Sequence, residues 1–385
     1  MEKRDQTGMR VCVRCNGCIT EANDSREHVV PNAIGGKLKT KGFICTNCNS
    51  ASGERWDAEL SRQMNPLCLF FSIIRDRGVS PSQTFETSAG EKIRISHDGS
   101  LALDRPTYRE VPIGDGIRVE ITARTMREAR KMLQGVKRKF PRTDISGILD
   151  NVSINTFYAK GAVKFEILFG GEMAGRSLVK TALAFAHCSG ISVENCGAAR
   201  NYLRGNRQVV PFGYFYESDL IEARPKGLPL HCVAISGNPA TGMLLGYVEY
   251  FGVLRVVICL SDKYVGDPVD RAYAIDPMNS NELNLSVRLT FSPSDMEAIY
   301  QYQKMPAGTI QRAFAEVAPI GLARKFETEK NRVIREAVHY AFAHCGAREG
   351  EMLTPEQVQK LSGLVVEKMM PFILHNVRRA HRQSS

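Results

Sequence analysis

Two cysteine pairs constrain this chain more than any other feature: Cys12-Val-Arg-Cys15 and Cys45-Thr-Asn-Cys48, separated by 29 residues. Two C-x-x-C pairs supply four thiolates at the spacing of a tetrahedral structural zinc site. The Asn16-Gly17 step after Cys15 is the tight turn that a metal knuckle needs. Pairing Cys15 with Cys18 would move that turn inside the loop, so Cys12 and Cys15 are the expected ligands. Eleven cysteines are present, five of them in the first 48 residues. Residues 1–11 have no apolar signal core, so a cytosolic address is expected, and there a disulfide framework would be out of place. The remaining six cysteines are scattered singly and read as small buried side chains.

The 385 residues allow two or three domains. No apolar run approaches the roughly 18–20 residues of a membrane span, so no membrane partner is expected. The formal charge of +10 favours an acidic partner without naming it. Its distribution says more. Residues 1–62 hold ten Lys/Arg against eight Asp/Glu, a net of +2, whereas residues 124–142 hold eight basic side chains against Glu128 alone, a net of +7. Thr125-x-x-Glu128 has the spacing of a capping box. Met126, Ala129, Leu133, Val136 and Phe140 then repeat at helical period up to Pro141. Arg127, Arg130, Lys131, Lys137 and Arg138 fall largely opposite that stripe. A face of one sign suits phosphate contacts and equally a solvated surface.

Elsewhere, residues 12–62 read as a knuckle, short strands and a helix, and residues 66–106 as β-rich with turns such as Asp98-Gly99. Strands are expected at 158–168 and around 229–236, and a hairpin at 244–250 and 253–261 about Phe251-Gly252. A helix is expected over 172–188, stopping at Gly190. The last quarter reads as helical: Ser292-Pro293-Ser294-Asp295 and Thr354-Pro355-Glu356-Gln357 both look like helix starts, and a third helix is expected over 326–345. Ala-Phe-Ala-His-Cys occurs at 184–188 and again at 341–345. Histidines at two helix ends explain it, with a second metal site as the alternative.

Between the cysteine pairs lie Glu27-His28-Val-Val-Pro31 and Gly35-Gly36, and Asn49 follows Cys48. An acidic-His-apolar-apolar-Pro strand, a Gly-Gly turn and a C-x-x-C-Asn helix start resemble the HNH endonuclease family in its zinc-knuckle subclass, with the ββα-metal fold. The resemblance covers about 50 residues. Two positions depart from it: Glu27 stands where many members have Asp, and the middle asparagine expected shortly before Cys45 is absent from Thr40-Lys41-Gly42-Phe43-Ile44. It implies that Cys12, Cys15, Cys45 and Cys48 hold a structural Zn²⁺. It also implies that His28 is the general base, and that Glu27 and Asn49 hold one catalytic Mg²⁺ or Mn²⁺. Lys37, Lys39, Lys41 and Arg55 flank the site as candidate phosphate contacts, and Asp57, two turns after Asn49, is a candidate support.

The expected fold class is α+β. A small N-terminal ββα-metal (treble-clef-like), zinc-stabilised nuclease module over 1–62 is followed by a β-rich connector at 63–105. A substrate-recognition or regulatory domain then spans 106–320, and a helical region with a basic tail spans 321–385. The expected function is metal-dependent endonucleolytic hydrolysis of DNA, in a defence effector or restriction-type nuclease. DNA is the expected partner, with a sensor protein or a small-molecule activator alongside it. The alternative is a non-catalytic zinc module that binds nucleic acid.

Overall fold

A computed structural model describes residues 10–150, 152, 158–205 and 210–383. The fold is mixed α+β, with an N-terminal module carrying four clustered cysteines and a helical C-terminal region. The chain falls into two compact units, each built from separated stretches of sequence. One takes the chain up to Pro81 together with Glu166–Leu322, and the other takes Ser82–Phe165 with the chain from Ala323 onward. The boundaries expected at 62/63 and 320/321 fall inside the helices Ala58–Phe71 and Thr309–His344.

The first unit is organised on a six-stranded antiparallel sheet. Its order is Asn281–Leu283, Val269–Asp276, His231–Asn238, Met243–Tyr250, Leu254–Ser261 and Phe212–Tyr214. The central strands are buried on both faces, as their near-continuous apolar sequence requires. Phe251 (φ 59°) and Gly252 (φ 71°) turn the expected hairpin, with the Val253 amide donating to the Tyr250 carbonyl at 3.0 Å. Two consecutive left-handed residues twist with the strands, and glycine suits the second position.

The helix Glu172–Cys188 lies against this sheet. It approaches closely because Gly246 has no side chain: a Cβ there would come within 2.9 Å of the Ala182 methyl. The Thr181 and Tyr250 hydroxyls share a hydrogen bond of 2.8 Å across the contact. The helix stops at the expected glycine, with Gly190 at φ 87° and the Ile191 amide returning to the Ala186 carbonyl at 3.0 Å.

His231, at the start of a central strand, ties the N-terminal module to this sheet. Its Nε2–H donates to the Ile34 carbonyl at 2.7 Å, and its Nδ1 accepts from the Phe251 amide at 3.1 Å. Both ring nitrogens are thus committed in the neutral state. Burial pushes the imidazole down to about 4.

In the second unit, Gln83–Glu86, Lys92–Ile95 and Leu101–Leu103 form a three-stranded antiparallel sheet, and Thr107–Ile113 and Gly116–Thr122 form a hairpin. The β-rich stretch therefore begins later than expected, because the preceding helix Ala58–Phe71 runs through Pro66. The strand expected over 158–168 is reduced to a single bridge, Val163 to Thr87, since Gly161 at φ 80° interrupts the extended backbone. Thr125 caps the helix Met126–Lys139 through its hydroxyl. Glu128, however, reaches the Arg124 amide and guanidinium, leaving the reciprocal half of the capping box unmade. Leu133 and Val136 are buried, whereas Met126 is 37% exposed and does not belong to the packed stripe. Both cap motifs of the last quarter form, at Pro293–Tyr300 and Pro355–Gln383. The helix expected over 326–345 begins at Thr309 and continues through Pro319.

Candidate active site

The cysteine pairs meet as their spacing implies. The sulfurs of Cys12, Cys15, Cys45 and Cys48 all lie within 4.8 Å of one another, with Cys15 and Cys45 3.9 Å apart. Zn–S bonds of about 2.3 Å in a tetrahedron put the sulfurs about 3.8 Å apart, so the donor set and its spacing fit structural zinc. Asn16, at φ 66°, takes the left-handed position of the knuckle, and the Gly17 amide then donates to Cys15 Sγ at 3.4 Å. The Cys45 amide points at Cys12 Sγ, 3.5 Å away. Burial pushes the Cys12 thiol up, but amides from Cys15, Cys45 and Arg14 outweigh it and bring the thiol down to about 7. Cys18 lies outside the cluster. From the helix Gly197–Leu203 and the residue after it, Arg200 and Arg204 both donate to the Asn16 amide oxygen, at 2.5 and 2.9 Å.

The knuckle sets two short strands beside a helix. Glu27–His28 pairs antiparallel with Lys39–Thr40, Glu27 opposite Thr40 and His28 opposite Lys39. Between them Gly35 turns the chain at φ 99°, and Gly36 passes so close to the Val30 carbonyl that a Cβ would sit 1.8 Å from its oxygen. This crowding explains the Gly-Gly pair. Cys45 then opens the helix Thr46–Ser52, which carries Asn49.

His28 is buried, and its Nε2 lies 3.4 Å from Asp76 Oδ2. Asn32 holds Asp76 in place: its side-chain oxygen accepts from the Asp76 and Arg77 amides at 2.9 and 3.1 Å, and its NH₂ donates to the Arg77 carbonyl at 3.0 Å. Lys39 also bonds the Asp76 carboxylate. Hydrogen bonds from Lys39 and then His28 hold that carboxyl down to about 2. Burial lowers the His28 pKa against the opposing pull of Asp76, which favours a neutral imidazole.

Glu27 projects the other way, as alternation along a strand requires. It is 6% exposed, and burial pushes its carboxyl up against the opposing pull of Lys180 and, more weakly, of the Asn49 side chain. Its Oε1 also accepts from Lys180 Nζ at 2.5 Å, and Lys180 reaches Asp57 Oδ2 at 2.5 Å. Asp57 closes a π-helical turn, Gly53–Asp57, that joins the module helix to the helix Ala58–Phe71. Its other oxygen accepts from Ser177 Oγ at 2.6 Å. Burial alone would push the Lys180 ammonium down, but the charges of Asp57 and Glu27 outweigh it and keep it charged. Glu27 and Asn49 are oxygen donors of the kind a hard divalent ion takes, and one Glu27 oxygen is already engaged by Lys180.

Of the candidate phosphate contacts, Lys37 is half-buried, Lys41 and Arg55 are exposed, and Lys39 is paired with Asp76. Arg127, Arg130, Lys131, Lys137 and Arg138 are all exposed on the helix Met126–Lys139 in the second unit. The two Ala-Phe-Ala-His-Cys copies end helices in different units. His187 bonds the Lys41 carbonyl at 3.0 Å and His344 the Tyr340 carbonyl at 2.7 Å. Among the described residues, the four cysteines are the only group of three or more His, Cys, Asp or Glu side chains arranged to hold a metal.

Asp76 and Lys180 stand outside the motif that the sequence displays. They lie 48 and 153 positions from their partners. Lys180 did leave a trace, as a lone charge in the apolar run Leu178-Val179-Lys180-Thr181-Ala182-Leu183.

Comparison with known proteins adds one match. No curated protein and no solved structure matches the chain, and no described helix is long and apolar enough to cross a membrane. Residues 12–65, however, match the family model described as HNH endonuclease. With the four-cysteine knuckle, the paired strands and the Asn49 helix in one place, the N-terminal part of this chain is an HNH module.

Proposed function

We propose that this chain is a metal-dependent endonuclease that hydrolyses DNA phosphodiester bonds, with His28 as general base and Glu27 and Asn49 as ligands of one Mg²⁺ or Mn²⁺ ion. The observation that supports this most is the arrangement of the paired strand Glu27–His28 and the Asn49 helix Thr46–Ser52 about a four-cysteine knuckle, with the His28 imidazole held at Asp76. A bound divalent ion would supply Lewis-acid neutralisation of charge on the leaving oxygen. His28 would take the proton of the attacking water. With Nε2–H donating to Asp76, Nδ1 keeps the free lone pair, and burial favours the neutral ring. The anchored loop at Asp76 limits rotation of the imidazole, which keeps the base in register.

In this reading the exposed basic face of Met126–Lys139 contacts the DNA backbone, and the rest of the chain selects or regulates the substrate, as in a restriction-type or defence nuclease. The experiment is plasmid nicking by the purified protein with Mg²⁺ or Mn²⁺, with and without His28→Ala. Parent activity that needs the added metal and is lost in His28→Ala is expected. Cleavage by His28→Ala at more than a few per cent of the parent rate would refute the assignment. The bond from Lys180 to Glu27 favours a second reading, DNA binding without cleavage. That reading predicts DNA retention but no nicking under any divalent metal.

A further inference from the structure

We infer that Lys180 is a resident cation of the active site: its ammonium sits on the Glu27 carboxylate that would ligate the catalytic ion, so a divalent metal binds against it. The inference rests on the reading of Glu27 and Asn49 as metal ligands. It goes further by naming a residue, outside the matched segment 12–65, that sets how readily the metal enters.

Lys180 is 1% exposed and contacts Glu27 and Asp57 at 2.5 Å each. Lysine is almost never buried to this degree without charged partners. Its position is imposed by the fold. One turn earlier on the same helix, Ser177 bonds the other oxygen of Asp57, and the next residue, Thr181, bonds Tyr250 of the sheet. Close packing of Ala182 on Gly246 leaves the helix little room to withdraw. Glu27, Asp57 and Lys180 together carry a net charge of −1, against the −2 the two carboxylates would carry alone. A divalent ion approaching Glu27 from the Asn49 side therefore meets a site half neutralised by a fixed positive charge, and like charges at such separations repel strongly in a buried setting. Lys180 thereby sets the affinity of the metal site, and does so without being a ligand.

The test is Mn²⁺ binding to the full zinc-loaded chain, read as loss of the free-ion electron paramagnetic resonance signal, with Glu27→Gln to identify the site. Lys180→Gln keeps an N–H donor, one bond shorter, and removes the charge, and it should bind Mn²⁺ at least tenfold more tightly than the parent. Lys180→Arg keeps the charge and should bind like the parent. Should Lys180→Gln fail to fold, Asp57→Asn, which brings the net charge of the trio to zero and leaves Lys180 on Glu27, should bind Mn²⁺ at least tenfold more weakly than the parent. Unchanged or weaker Mn²⁺ binding in folded Lys180→Gln, or unchanged or tighter binding in Asp57→Asn, would overturn the inference. If the parent still nicks plasmid and His28→Ala does not, that result leaves the nuclease reading standing. Binding that is the same in parent, Glu27→Gln and the Lys180 variants would overturn both.

Discussion

His231 makes the joint between the HNH module and the sheet dependent on pH. In the folded chain its imidazole is neutral, donating to Ile34 and accepting from Phe251, and burial holds it down to about 4 against an ordinary 6.5. A group whose folded pKa is depressed binds its proton less readily in the native state, so the unfolded chain gains protons first as pH falls. For this histidine the stabilising preference is present in full above about pH 6.5 and is lost progressively towards pH 4. At about 1.4 kcal/mol per pKa unit, the shift corresponds to a limit of about 3 kcal/mol, of which about 2 kcal/mol is gone by pH 5. His231→Gln isolates the effect, because its amide offers one donor and one acceptor but does not titrate. Urea unfolding followed by tryptophan fluorescence suits the measurement, since the single Trp56 is buried in the same unit. The parent should be the more stable at pH 7.5, and its advantage should shrink by about 2 kcal/mol at pH 5. A parent and variant that lose stability in parallel over that range would refute the argument.

Cys45→Ser should lose the zinc and unfold the module, because metal binding supplies on the order of 10 kcal/mol to small sites of this kind; metal analysis with circular dichroism checks both. Asp76→Asn should lower kcat for nicking about tenfold with little change in DNA affinity, since Asp76 orients His28, the proposed base; an unchanged kcat would remove it from the site. Gly36→Ala should destabilise the fold by about 3 kcal/mol, because the added Cβ cannot coexist with the Val30 carbonyl; an unshifted urea midpoint would show that the turn yields. Reversing charge at Arg127, Arg130 and Lys131 should weaken DNA binding for all sequences alike. It should also flatten the slope of log affinity against log salt by about one unit per lost phosphate contact; an unchanged slope would return this helix to a solvated surface.

What could be read from the sequence was local. The cysteine spacing, the Gly-Gly turn, the Phe251-Gly252 hairpin and the caps at Ser292 and Thr354 are each encoded within a few residues, and each forms. Errors arose where tertiary packing overrode a local signal. The β-rich stretch expected from Pro66 starts later because Pro66 lies inside a helix, and the helix expected from 326 starts earlier, at Thr309, and runs through Pro319. Met126 keeps the helical period of a core residue but stays 37% exposed, because periodicity states which residues share a face and not how far the covering surface extends.

The same distinction separates the legible part of the site from the rest. Read as a motif, residues 12–62 are complete, with the four cysteines, Glu27, His28, Asn49 and the Gly35-Gly36 turn all in place. In the folded chain they are not electrostatically complete. Glu27 and Asp57 are held close together, and the charge that compensates them arrives on Lys180, from a helix that follows the whole intervening stretch of the second unit. Removing one partner from a buried ionic cluster typically costs about 3–5 kcal/mol, a large fraction of the roughly 5–15 kcal/mol that keeps a typical protein folded. The helix Glu172–Cys188 therefore belongs energetically to the module, although nothing in the spacing of the motif announces it. The His231 bond to Ile34 ties the Gly-Gly turn to the sheet in the same way. A module built like this cannot drift relative to the sheet without exposing or unpairing Glu27. Any signal that shifts the helix Glu172–Cys188 would act directly on the carboxylate next to His28.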